Sequence, residues 1–178
     1  FREEIKRKYT IEAGQAEFGM PQKTSERYEL NLDDASWYAY DENFGTSEEK
    51  SFVLELHKII SELEEKWSDI YLLRNEKALQ IYSFDEGRAF EPDFLLFAND
   101  KTTGNISWQI FVEPKGDWSL DNKKEFTGSK EGWKENFLLQ ISKEAKTLVE
   151  NDRYHIIGLP FYNENHSKSK VILELRNL

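Results

Sequence analysis

The sequence predicts an α/β fold in which helices flank a mixed sheet. Apolar side chains recur at helical spacing over residues 46–65 and again from about residue 130 to 149. Strand-like runs bounded by turn residues lie between these helices, and another follows the second helix. The order helix, strands, helix, strand is typical of helices packed on the faces of one sheet.

The first helix carries both a start signal and a buried face. Thr46 and Glu49 have the spacing of a capping box, in which the two residues satisfy each other's backbone N–H groups. The apolar stripe that follows has helical spacing and consists of Phe52, Val53, Leu56, Ile60 and Leu63.

Four strand-like runs follow: Ile70–Arg74, Leu79–Phe84, Phe94–Phe97 and Ile106–Val112. The short turns between them predict an antiparallel meander. After the second helix, residues 154–159 predict a strand that ends at Pro160. The tail 171–175 favours a last strand, with a short helix as the alternative.

We divide the chain into a peripheral lead-in, residues 1–45, and a main domain, residues 46–178. In the lead-in, residues 28–32 predict a short strand, and the aromatic cluster 37–40 is expected to pack onto the main domain. The start at Phe1 has neither an initiator Met nor signal-peptide character, so we expect a piece of a longer protein.

Composition restricts the function classes. The 178 residues contain no cysteine, so a metal would be held by oxygen or imidazole, which favours hard cations such as Mg²⁺. No apolar run is long enough to span a membrane, and we expect a cytoplasmic protein. A net charge of −10 disfavours tight non-specific binding to nucleic acid, although an acidic metal site is compatible with it.

The residues that indicate chemistry lie at two strand ends. Asp93 precedes one buried strand, whereas Glu113 and Lys115 follow another and share a face because side chains alternate along a strand. If the two strands are antiparallel neighbours, Asp93 meets this pair. Two converging carboxylates repel each other unless a cation lies between them, and the Pro114 carbonyl would add an oxygen ligand. Such a cation promotes phosphodiester hydrolysis, and Lys115 would assist the attacking water or stabilise developing charge.

These residues resemble a known motif. Pro92-Asp93 followed by Glu113-Pro114-Lys115 is similar to the signature of PD-(D/E)XK nucleases, whose restriction-endonuclease-like core has the order α-β-β-β-α-β. Segments 45–53, 90–94 and 111–116 resemble more closely the C-terminal endonuclease domain of the Res (restriction) subunit of type III restriction enzymes. The resemblance covers about residues 36–160 and marks the main domain as a nuclease domain.

The resemblance implies a Mg²⁺-dependent DNA endonuclease, with Mn²⁺ as a substitute. Asp93 and Glu113 match the metal-binding acids, Lys115 matches the catalytic lysine, and Glu49 matches a supporting acid on the first helix. Gln140 resembles a glutamine that some relatives place near the site. The implied partners are DNA, a helicase motor in the same full-length chain and a methyltransferase subunit. The motor's phosphate-binding loop is absent from this sequence, which predicts no ATP site here.

Several residues have plainer interpretations that the sequence leaves open. The capping box alone explains Glu49, and Glu48 is the alternative supporting acid. Four lysines are candidate DNA contacts but equally fit a solvated loop: Lys123, Lys124, Lys130 and Lys134. Packing is the favoured role for Trp118 and Trp133.

Two alternatives remain for the whole domain. The first is a non-catalytic nuclease-fold module that docks a helicase or methyltransferase partner. The second is a repair or recombination nuclease of the same superfamily. The complete set of Asp93, Glu113 and Lys115 argues against the docking module, and Glu113-Pro114-Lys115-Gly116 favours the type III interpretation over a repair enzyme.

Overall fold

The computed structural model describes residues 21–102, 107–148 and 154–178. Three α-helices are found there: α1 (Ser47–Lys66), α2 (Gly132–Leu148) and α3 (Lys168–Asn177). Six strands are found: β1 (Trp67–Arg74), β2 (Ile81–Tyr82), β3 (Ala89–Phe90), β4 (Phe94–Asp100), β5 (Ser107–Val112) and β6 (Tyr154–Gly158). The expected α/β class, a mixed sheet flanked by helices, is confirmed.

The main sheet has the strand order β1-β4-β5-β6. Strand β4 pairs antiparallel with both β1 and β5, whereas β6 runs parallel to β5. The parallel pair is connected through α2, as a parallel crossover requires. Because β6 is parallel to β5, the first residue of β6 and the last residue of β5 lie at opposite ends of the strands.

Helix α1 begins where the sequence predicts. Thr46 accepts a hydrogen bond from the Glu49 N–H at 3.4 Å, and the Glu49 carboxylate accepts one from the Thr46 N–H at 2.5 Å. This reciprocal capping box fixes the first turn. The apolar stripe is buried, with Phe52 and Leu56 fully inaccessible.

Alternation along β4 and β5 gives the sheet two apolar faces. Phe94, Leu96 and Ile110 belong to the core shared with α1 and α3. Leu95 and Phe111, which lie opposite each other in the register, belong to the core under α2. The sheet is therefore the middle layer between two helical layers.

The predicted four-strand meander is wrong at its second run. Residues 79–84 contribute only the two-residue strand β2, which pairs with β3 in a separate hairpin. Gly87 closes this hairpin with φ +64°, a left-handed conformation that glycine adopts without strain. Arg74, at the end of β1, pairs directly with Phe94 of β4, so the hairpin is an insertion between two neighbours of the main sheet.

Two further strand predictions are wrong. The tail forms α3, because Val171, Ile172 and Leu175 have helical spacing and are buried against the α1 side of the core. Residues 28–32 form turns and irregular backbone. Their packing does not need a sheet, since Leu32 is buried in the core and the Tyr28 hydroxyl donates to Glu164 at 2.8 Å.

The aromatic cluster 37–40 packs on the domain as expected. Tyr38 forms an isolated parallel bridge with Leu72 of β1, and Tyr38 itself is fully buried. The Tyr40 hydroxyl donates to the Arg74 carbonyl at 2.8 Å. These contacts attach residues 37–40 to the outer edge of the main sheet.

Across the three described ranges, no helix combines the length and the apolarity needed to cross a membrane.

Gly158 allows α2 to lie directly on β6, and this close approach is testable. A Cβ at this position would come within 2.7 Å of the Leu138 backbone. Ser142 ties the helix to the strand by accepting from the Gly158 N–H at 2.8 Å and donating to its carbonyl at 2.9 Å. We expect Gly158→Ala to lower the free energy of unfolding by about 1–3 kcal/mol, because α2 must move outward. Urea denaturation measures this, and an unchanged midpoint would show that the interface is not close-packed.

Candidate functional site

The predicted acids meet where β4 begins and β5 ends. Phe94 and Val112 are opposite each other in the antiparallel register, so Asp93 and Glu113 flank the same end of this strand pair. The Glu113 side chain is 2% exposed. One of its oxygens accepts a hydrogen bond from the Asp93 N–H at 2.9 Å, and the other forms an ion pair with the Lys115 ammonium at 2.8 Å. The three predicted residues therefore form one cluster.

The backbone of residues 113–115 is fixed by the chain after β6. The Lys115 N–H donates to the Tyr162 carbonyl at 2.7 Å, and the Tyr162 N–H donates to the Glu113 carbonyl at 3.1 Å. Within the described ranges, no donor is bonded to the Pro114 carbonyl. This oxygen remains compatible with the ligand role predicted for it.

The Asp93 carboxylate is the unbalanced charge of the cluster. It makes no hydrogen bond or ion pair with the described part of the chain, although it is only partly exposed. Burial and the negative charges of Glu113 and Glu49 raise the pKa of Asp93 far above its ordinary value. Burial also raises the pKa of Glu113, which the Lys115 ammonium partly opposes. The site is therefore short of positive charge.

Lys115 is held between two carboxylates. Besides Glu113, it approaches Glu131 at 3.6 Å, and Glu131 in turn pairs with Lys134. Burial alone would lower the pKa of Lys115, but Glu113, Asp93 and Glu131 outweigh it and raise the pKa. Lys115 is thus an ammonium ion in the metal-free site.

Glu49 faces the same cluster but has other partners. Besides its cap, its two oxygens bind the Arg74 guanidinium at 3.1 and 3.2 Å. The charges of Glu49 and Arg74 both act on Asp93, in opposite directions. Glu48 contacts Ser47, at 3.0 Å, and does not replace Glu49 in these contacts.

The sequence interpretation missed Arg74 and Glu131. Arg74 also binds Glu76 at 2.9 Å and Asn43 at 3.3 Å, so it connects the lead-in to the site. Its position had a signal, since the end of β1 must lie beside the start of an antiparallel β4 and hence beside Asp93. For Glu131 the sequence holds no equivalent signal, because a loop brings it to Lys115.

The other residues that the sequence suggested, Gln140 and four lysines, lie outside the acid cluster. Gln140 lines a cleft between α2 and the β2–β3 hairpin, together with Asp85 and Arg88, and does not contact the acids. Lys134 borders the site through Glu131. The other three candidate lysines, Lys123, Lys124 and Lys130, are exposed on the loop before α2.

The donor set fits a hard divalent cation. Asp93 and Glu113 present carboxylate oxygens, and Mg²⁺ is commonly held by one or two carboxylates while water and substrate phosphate complete its shell. Among residues 21–102, 107–148 and 154–178, no group of three or more His, Cys, Asp or Glu forms a metal cage. A cation held here by Asp93 and Glu113 would therefore need water or substrate to complete its coordination.

A protein-family model described as HI_1054_C, C-terminal domain, matches residues 7–175, almost the whole chain. The chain belongs to this family. A relative from Haemophilus influenzae, named "Uncharacterized protein", is 31% identical over 145 residues. The match covers 75% of this chain and 30% of that relative, so the chain spans less than a third of the relative's length. No solved structure matches the chain.

The Arg74–Glu49 pair predicts strong coupling. Removing Arg74 leaves a buried carboxylate without its cation, so we expect Arg74→Met to lower the free energy of unfolding by about 3–5 kcal/mol. The double variant Arg74→Met with Glu49→Gln should recover much of that loss. A double-mutant cycle in urea measures the coupling, and simple additivity of the two changes would rule out this pair as the anchor of Glu49.

The raised pKa of Asp93 predicts how pH affects stability without metal. Because the folded-state pKa of Asp93 lies above the unfolded value, the contribution of Asp93 to stability is complete below about pH 4 and is lost as pH rises through the folded pKa. Asp93→Asn removes this loss. We expect the variant to be more stable than the native protein above neutral pH in EDTA, by at least about 1 kcal/mol or ~2–4 °C.

Thermal melts in EDTA at acidic and alkaline pH test this prediction. Asp85→Asn, on the β2–β3 hairpin, is the matched control, since this side chain is exposed and its substitution should change the melting temperature little. A variant Asp93→Asn that melts below the native protein at alkaline pH would show that the carboxylate is stabilising, contrary to its placement.

Proposed function

We propose that this chain is a Mg²⁺-dependent DNA endonuclease domain with a PD-(D/E)XK-like core. The observation that carries the proposal is the Glu113 carboxylate, which joins the Asp93 backbone at 2.9 Å to the Lys115 ammonium at 2.8 Å. Two acids and a lysine then share one end of a strand pair, as the motif requires.

The topology supports the same proposal. If the β2–β3 hairpin is treated as an insertion, the order becomes α1, β1, β4, β5, α2, β6, which has the α-β-β-β-α-β order of that core. The first three strands are antiparallel neighbours, and the last is parallel to the third. Fold alone does not specify an activity, so the proposal depends on the residues at the junction.

The residues have distinct roles in the proposed hydrolysis. Asp93, Glu113 and the Pro114 carbonyl would hold the cation. When bound, the cation polarises the phosphodiester and lowers the pKa of water. Lys115, as an ammonium ion, neutralises charge that develops on the phosphate oxygens, and Glu113 keeps it directed at them.

Glu49 acts through position in this proposal. Its carboxylate is occupied by the cap and by Arg74, so it shapes the field around Asp93 and is not assigned as a ligand. Gln140, which faces the hairpin cleft, receives no role at the cation.

The broader assignment is to the Res subunit of a type III restriction enzyme, which rests on the segments that resemble it. It implies a helicase motor elsewhere in the full-length chain and a methyltransferase partner. The Haemophilus influenzae relative is long enough to contain further domains, since the match occupies 30% of it. Helicase motifs in the remainder of a full-length relative would support this assignment over a repair nuclease.

Cleavage of supercoiled plasmid tests the activity. We expect nicking in Mg²⁺ or Mn²⁺ and none in EDTA. Lys115→Ala should lower the rate about 10²–10³-fold, because it removes charge stabilisation at the reacting phosphate. Asp93→Asn and Glu113→Gln should abolish the metal dependence along with the activity.

Lys58→Ala is the matched control, since this exposed lysine lies in the second half of α1, outside the acid cluster, and is not a candidate DNA contact. Nicking that survives Lys115→Ala would refute the assigned site. Titration with Mn²⁺ of the native protein and of Asp93→Asn measures metal binding separately from nicking. Metal binding that depends on Asp93, without nicking, would favour the docking module over the nuclease.

A further inference from the structure

Trp118 is not a packing residue. Its side chain is 77% exposed although it lies only three positions after Lys115. Trp133, in contrast, is partly buried, with the Arg88 guanidinium over its ring at 5.4 Å. The packing role expected for both tryptophans therefore holds only for Trp133. An exposed indole three positions from the lysine of the candidate site indicates a contact with something outside the chain.

Side-chain hydrogen bonds hold the turn that carries Trp118. The Ser119 hydroxyl donates to the Gly116 carbonyl at 2.8 Å, which closes the 3-10 turn Asp117–Ser119. The Asn163 side-chain amide donates to the Lys115 carbonyl and to the Asp117 carboxylate, both at 2.8 Å. The backbone that carries the exposed indole is thus held by hydrogen bonds, and one of them also holds the Lys115 carbonyl.

Trp118 borders two clefts. One of about 480 Å³ also contains Tyr28, Glu48 and Asn165, and the other, of about 380 Å³, contains Asn122, Ser129 and Lys130. The large aromatic surface is therefore reachable from both sides.

The charges around the clefts disfavour phosphate. Glu48, Asp117 and Glu164 line the first cleft, where Arg27 is already paired with Glu164 at 3.0 Å. In the second cleft, two carboxylates, Asp121 and Glu131, outnumber the one cation, Lys130. Carboxylate and amide oxygens accept hydrogen bonds from the N–H groups of bases, and the carboxylates repel phosphates. The clefts suit an uncharged, planar, N–H-bearing group.

We propose that Trp118 stacks an unpaired nucleobase of the DNA strand whose phosphate lies at Lys115, which gives the domain a preference for single-stranded DNA. The inference rests on the proposed function for the position of the phosphate. Stacking needs no charge complementarity, so it supplies affinity to a domain whose net charge of −10 disfavours backbone binding. A base inside a duplex is not available to this ring, because its faces are already stacked.

Fluorescence anisotropy with a labelled single-stranded oligonucleotide tests the inference, with Ca²⁺ as the cation and a gel check that the strand stays intact. The comparison strand has the same phosphates but abasic sites in place of bases. We expect the native protein to prefer the base-bearing strand. Trp118→Ala should weaken that binding about 5- to 100-fold and remove the preference, and Trp118→Phe should retain part of both.

Tyr154→Ala is the matched control. Tyr154 is also exposed, at 55%, but it begins β6 and therefore lies at the opposite end of the strands from the acid cluster. It should bind both strands as the native protein does. Equal affinity for the two strands, no binding to either, or unchanged binding by Trp118→Ala overturns the inference.

Plasmid nicking in the same variants separates this inference from the nuclease proposal. Lys115-dependent nicking without a base preference overturns the stacking surface and leaves the nuclease assignment standing. A base preference that Trp118→Ala removes, without Lys115-dependent nicking, supports the stacking surface and overturns the assigned chemistry.

Discussion

The two bonds made by the Glu113 carboxylate are the constraint on which the site depends. A carboxylate that is 2% exposed requires compensation, and it receives it from the Asp93 N–H on one oxygen and the Lys115 ammonium on the other. These bonds join the start of β4 to the end of β5. A register slip of one residue would turn Glu113 and Lys115 to the opposite face of the sheet, so the apolar packing that fixes the register also assembles the site.

Site residues that strand pairing brings together can be predicted from the sequence, whereas contacts that loops create cannot. Asp93, Glu113 and Lys115 lie at strand ends, and strand alternation together with antiparallel pairing brings them together. The same argument applies to Arg74, which ends β1 beside the start of β4, whereas a loop brings Glu131 to the cluster. The hairpin and α3 were misjudged because a short apolar run satisfies strand and helix patterns equally, and only burial against a particular neighbour decides between them.

The lead-in is part of the site's support. Tyr40 holds the Arg74 carbonyl, and Asn43 contacts the same guanidinium that holds Glu49. Asn43 and Gln22 are bonded side chain to side chain at 2.9 Å, and Gln22 also donates to the Lys50 carbonyl on α1. The geometry of Glu49 thus depends on residues that the sequence suggested were peripheral, because buried polar groups must find partners wherever the chain provides them.

The acid cluster contains one carboxylate, that of Asp93, whose negative charge is not compensated. Lys115 and Arg74 are both committed to carboxylates, yet Asp93 remains unbalanced and its pKa is raised. Such a group does not stabilise the fold at neutral pH, and it is the group that the proposed cation would neutralise. The same acidity repels nucleic-acid backbone from the surrounding surface. In the proposed function, a domain of this charge would engage DNA through one neutralised phosphate position and through contacts that do not rely on charge. The exposed indole of Trp118, three residues from Lys115, is the side chain that we propose for those contacts.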